Sequence, residues 1–120
     1  MKLFLPIPLS NNNTGQTRHW SAANKQKQLF AKTIMALGLK AKHTPTHKQR
    51  VTITRILGKG ERLWDADSVL RGNAKQLLDS LVDAGYFVDD GPNYITSVVG
   101  LQNAVERERG PAIEVEIENA

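Results

Sequence analysis

Two pairs of carboxylates are the residues best suited to chemistry: Asp65-Ala66-Asp67 and Asp89-Asp90. Between them runs Ser68 to Ala84, in which Leu70, Ala74, Leu77, Leu78 and Leu81 recur at helical spacing before Gly85 stops the pattern. A helix folded back on its flanks brings acids from both ends toward one pocket. Carboxylates gathered in this way cannot neutralise one another and need cations. Hard oxygen ligands suit Mg²⁺, with Mn²⁺ as a substitute. Asp65 and Asp67, two residues apart, point to the same side of an extended chain, with Cα atoms ~6.5 Å apart. A purely structural reading competes: Asp67 caps the helix that starts at Ser68, Asp65 solvates a loop, and Asp89-Asp90-Gly91-Pro92 is a turn.

The distribution of charge suggests what such a cation acts on. Residues 1–60 carry 11 Lys and Arg and no acid, whereas residues 61–120 carry 5 bases and 12 acids, giving the net charge of +4. A half-chain without acids fits a surface presented to phosphates, where counterion release supplies affinity without sequence preference. Lys25 and Lys32 share a helix face that can meet solvent or DNA. No basic helix with an aromatic face suggests a membrane surface.

Other chemistries fit poorly. The chain has no cysteine, which excludes disulfides, thiolate zinc sites and cysteine nucleophiles. Pro45 separates His43 from His47 and argues against a zinc-binding helix face; His19, His43 and His47 read as exposed or phosphate-contacting. Gly58-Lys59-Gly60 lacks the spacing of a phosphate-binding loop. Trp64 reads as packing beneath the acidic loop. The Pro-interrupted N-terminal stretch does not read as a signal peptide, and no window approaches a membrane span. The expectation is a soluble, cytoplasmic protein.

The elements that must position the acids follow from periodicity. Lys2–Ile7 reads as a strand, and Ser10 to Gly15 as a polar, mobile loop. Ser21 can cap a helix over Ala22–Leu37 that Gly38 stops, with Phe30, Ile34 and Leu37, and Leu29 and Met35 alongside, in the core. Residues 51–57 and Ile95–Leu101 read as strands. In the last strand Ile113, Val115 and Ile117 alternate with Glu114, Glu116 and Glu118, which makes the Glu row a solvated face. The predicted fold is α/β (α+β): a single domain over residues 1–120, with a mixed four-stranded sheet and two main helices. The long helical connection permits strands one and two to pair in parallel, and the last two can form a hairpin.

These residues also carry a resemblance. Ile7-Pro8-Leu9-Ser10-Asn11-Asn12 is similar to the Pro-Pro-Ser-x-Asn opening of the RusA-like Holliday junction resolvases, small enzymes often encoded by phages and prophages. Trp64-Asp65-Ala66-Asp67-Ser68 is similar to their Asp-x-Asp-Asn. The run from Lys75 through Asp79 and Gly85 to Asp89-Asp90 resembles their Lys-x-x-x-Asp-x-Leu, Gly and Asp-Asp signature. The resemblance covers nearly the whole chain. It implies a Mg²⁺-dependent, homodimeric endonuclease making paired symmetric cuts in four-way DNA junctions, for recombination and repair. It assigns Asp65, Asp67 and Asp90 as catalytic, metal-binding carboxylates and Lys75 as a functional lysine. Asn11, Asn12, Arg18, Lys25, Lys32 and Arg71 are the expected DNA contacts. Two positions depart from the pattern: Ser68 replaces the Asn, and Lys75 follows Asp67 by eight residues instead of four. An insertion near residues 71–74 explains that shift and leaves either Lys75 or Arg71 as the base at the site; Gly72-Asn73 between them can locally break the helix and swing Lys75 inward. The alternative is a DNA-binding protein that keeps the fold without activity; a cation-binding scaffold in a phage assembly is a third reading.

Overall fold

A computed structural model describes residues 1–10 and 20–120, with residues 20–23 described through their backbone alone. Its elements, in order, are β1 (Lys2–Leu5), α1 (Trp20–Ala36), β2 (Gln49–Ile56), a 3₁₀ turn (Ser68–Leu70), α2 (Ala74–Asp83), β3 (Ile95–Asn103), a second 3₁₀ turn (Arg107–Arg109) and β4 (Ala112–Asn119). The four strands form one mixed sheet in the order β1-β4-β2-β3. The expected α+β class, with two helices on a four-stranded mixed sheet, is what the chain adopts. Asn11, Asn12, Arg18, His19 and most of the polar stretch after Ser10 lie outside the described residues.

Strand pairing differs from the expectation in two respects. β1 and β2 do not pair with each other; β4 lies between them, antiparallel to both. β3 and β4 do not form a hairpin, because β3 pairs in parallel with β2. The physical reason lies in the alternation of β4: Ile113, Val115 and Ile117 are buried, and a central strand has neighbours on both sides to bury them. Leu3 and Val51 face the core with it, in register with Val115 and Ile117 respectively. On the other sheet face the Glu row meets cations, as Glu118 does with Arg50 at 3.3 Å and Glu114 with Arg109 at 3.2 Å.

Both helices cover the core face of the sheet, a two-layer arrangement. Phe30 and Ile34 of α1 are buried, but Leu29, Met35 and Leu37, expected in the core, are exposed. At 100° per residue, Leu29 and Met35 flank the Phe30–Ile34 stripe on opposite sides, and Leu37 lies past the last helical residue. Ser80 is buried where the helices meet and donates to Lys27 O at 3.1 Å and Gln76 O at 2.9 Å. α2 ends on Gly85 at φ 91°, with Tyr86 N–H donating to Leu81 O and Gly85 N–H to Val82 O. This is the glycine-terminated C-cap that the sequence anticipates.

The expected helix from Ser68 to Ala84 is interrupted. The chain makes a 3₁₀ turn over Ser68–Leu70, passes through Arg71, Gly72 and Asn73, and enters α2 only at Ala74. Leu70, assigned to the helix's apolar side, is 38% exposed. Glycine is a poor helix residue, and Asn73 is held elsewhere: its N–H donates to Ser10 O at 3.1 Å and its Oδ1 accepts Ser10 N–H at 2.9 Å.

Candidate functional site

The Asp65–Asp67 loop is built on a buried cation. Val51, Ile53 and Arg55 occupy alternate positions on the core side of β2, and Arg55 is only 5% exposed. Its guanidinium donates to Arg62 O and to Gln102 Oε1, each at 3.0 Å, and stacks 3.7 Å from the Trp64 ring centroid. Burial pushes the Arg55 pKa down, with Glu61 opposing the shift. Gln102, directly opposite Arg55 on β3, accepts Trp64 N–H at 2.9 Å and donates to Trp64 O at 3.0 Å. Trp64 therefore packs beneath the acidic loop as expected, and the residue next to it, Asp65, is held at the sheet. Arg107 secures the start of the same loop by donating to Gly58 O at 2.8 Å and Glu61 O at 2.7 Å.

Beyond Trp64, Asp65 O accepts Ser68 N–H at 2.9 Å and opens the 3₁₀ turn. Buried Val69 pins that turn against β3, where Gly100 allows the approach; a Cβ there would lie 2.8 Å from Val69 Cβ. Asp65 and Asp67 are both exposed. Asp67 makes no side-chain capping bond to the turn that follows it. Its carboxylate instead lies 2.6 Å from Arg71 Nη2.

The second acidic pair reaches the same helix from the other side. Lys75, in the first turn of α2, holds Asp79 at 3.2 Å and also contacts the Asp90 carboxylate. The Asp90 hydrogen bond, followed by that to Asp79, raises the Lys75 pKa, and the same bond to Lys75 lowers that of Asp90. Asp89 accepts Gly91 N–H at 2.6 Å, so its carboxylate belongs to the turn that leads into β3.

The structure thus joins Lys75 with Asp90 and Arg71 with Asp67, and leaves Asp65 with no ion pair among the described residues. Lys25 and Lys32 are exposed on α1 and make no ion pair among the described residues. A Mg²⁺ or Mn²⁺ site needs several hard oxygens around one ion. The donor chemistry suits such an ion but the arrangement does not: among the described residues no group of three or more His, Cys, Asp or Glu side chains is placed to hold a metal. Three residues that build the site went unassigned in the sequence. Arg55 and Gln102 carried a usable signal, polar side chains at core-facing strand positions; Asn73 was legible with Gly72 as a place for the helix to break, but its bonds to Ser10 were not.

The chain was compared with known protein families and with curated proteins, and it matches none of them. Among the described residues, no helix is long and apolar enough to cross a membrane.

Proposed function

We propose that this chain is a structure-selective endodeoxyribonuclease that acts on four-way DNA junctions as a homodimer, with Asp65, Asp67 and Asp90 as its working carboxylates and Lys75 as the base among them. The observation that supports this reading best is the contact between Lys75 and Asp90, two residues of the resolvase-like signature, 15 positions apart in the chain. Reciprocal bonds between Ser10 and Asn73 add to it, because they join Ser10, a residue of the resolvase-like opening, to the base of the helix that carries Lys75. In this reading Lys75 and Arg71 can exchange their carboxylates for phosphate oxygens, to which both bases are well suited. Dependence on Mg²⁺ rests on the resemblance alone.

A second reading, a DNA-binding protein without nuclease activity, is favoured by one observation: Asp67 and Asp90 are each matched by a base. One experiment separates the readings. A labelled four-way junction and a linear duplex are incubated with the protein, with and without Mg²⁺, at several salt concentrations. Paired cuts in the junction that require Mg²⁺ support the nuclease. Salt-dependent junction binding without cutting supports the second reading, and absence of binding removes both.

A further inference from the structure

The segment from Leu39 to Lys48 builds a cationic feature at the opposite end of β2 from the Asp65 loop. Ala41 N–H donates to Ala84 O at 2.9 Å, and Leu39 O accepts the hydroxyl of Tyr86. These bonds fasten the segment across the end of α2 and leave an open pocket of about 750 Å³ between it and the end of the sheet where β4 finishes and β2 begins. Tyr86 and Ile117 form its apolar floor, and Lys40, Lys42, His43 and His47 stand around it. Asn119 Oδ1 accepts Gln49 Nε2 at 3.1 Å and contacts His47 Nε2 at 2.6 Å, which holds that imidazole at the wall.

The charges are left uncompensated. Lys40 and Lys42 are exposed and make no ion pair among the described residues. The one carboxylate on the pocket, Glu118, is engaged by Arg50 at 3.3 Å. Lysines ringing an apolar floor attract a phosphate whose sugar or base can cover that floor. The pocket's place in the fold indicates which phosphate. Gln49 lines it, and Arg55, beneath Trp64 and the acidic loop, lies six residues further along β2. At the strand rise this separates the pocket from the Trp64–Asp65 end of the acidic site by ~20 Å, which is about six phosphates along a duplex axis at ~3.4 Å each.

We propose that this pocket binds a backbone phosphate of the DNA arm about six base pairs from Asp65, and so anchors the arm. The inference rests on the DNA-binding reading above. The test measures affinity for four-way junctions with long arms and with arms cut to about four base pairs, using wild type and the Lys40→Glu/Lys42→Glu variant, with circular dichroism to verify folding. Wild type should bind long-armed junctions about tenfold or more tightly than short-armed ones. The variant should lose that preference, and its slope of log affinity against log salt should be shallower by about two. A variant that keeps the wild-type arm-length preference and salt slope overturns the anchor while leaving the DNA reading intact. A wild type that binds neither junction overturns both. Titration with a nucleoside monophosphate is the third arm: binding to wild type as tight as that of the junction, lost in the variant, reassigns the pocket to a free nucleotide and overturns the anchor.

Discussion

The ammonium of Lys75 rests on the carboxylate of Asp90 and holds Asp79 from the same helix, while Arg71, four residues earlier in the chain, holds Asp67. The break at residues 71–73 separates the two bases and gives each its own acid. Among the described residues the ion pairs to the second acidic pair come from Lys75, so the proposed function gives Lys75 the role of the base. Lys75→Ala is expected to lower the single-turnover cleavage rate by ~10²-fold, the scale of losing one charge-stabilising donor. Arg71→Ala should act mainly on junction affinity. Unchanged cleavage in Lys75→Ala with loss in Arg71→Ala would transfer the role to Arg71.

Asp→Asn at 65, 67 or 90 keeps size and removes charge. Each variant is expected to lose cleavage by orders of magnitude and to retain junction binding. Asp67→Asn is the cleanest case: Asp67 makes no capping bond, so the fold loses only an exposed pair with Arg71, a matter of ~0.2–1 kcal/mol. Full activity in all three variants would make the acids structural.

The Lys75–Asp90 pair sets a pH window for stability. The Asp90 pKa is lowered, so its contribution is present above the unfolded value and is lost as pH falls through the folded one. The Lys75 pKa is raised, so its contribution is present below the unfolded value and is lost as pH rises through the folded one. Both hold between about pH 4 and about pH 10.4. Because both groups are well exposed, the difference in urea stability between wild type and Asp90→Asn should be at most ~1 kcal/mol at pH 7. It should shrink toward zero as pH falls below about 4, and a difference that grows in acid would contradict the pairing.

Gln102→Leu tests the clamp under the acidic loop. The substitution leaves Trp64 N–H and C=O without their side-chain partner and removes one acceptor from buried Arg55. Each buried group left unsatisfied costs about 1–3 kcal/mol, so urea denaturation should show a loss of at least ~2 kcal/mol. Trp64 fluorescence should shift as the ring leaves Arg55. A variant as stable as wild type would show that the loop has other support.

Paired cuts require two sites related by a two-fold axis. Light scattering at micromolar concentration with junction bound is expected to give the mass of two chains per junction; one chain per junction would remove the symmetric-cut reading.

Local pattern was enough for much of this protein. Gly38 and Gly85 end the two helices because a left-handed residue closes a helix through bonds a few positions back. The alternation from Ile113 to Ile117 makes a strand because side chains in extended chain point to opposite faces. The turn at Asp89 to Pro92 was legible because Asp, Gly and Pro favour turns, and Asp89 accepts Gly91 N–H there. What local pattern did not contain is which elements meet. β4 enters between β1 and β2, a choice made by burying its apolar residues against neighbours more than 50 positions away. The break before α2 depends on Ser10 taking both polar groups of Asn73, 63 positions apart. Arg55 could be seen as a charge on an apolar face, but its partners Trp64 and Gln102 come together only when β3 docks on β2. The acids themselves were plain in the sequence. Asp67 meets Arg71 at the local i,i+4 spacing, but the pairing of Asp90 with Lys75 was decided by the tertiary structure, because electrostatic partners are set by distance in space and not along the chain.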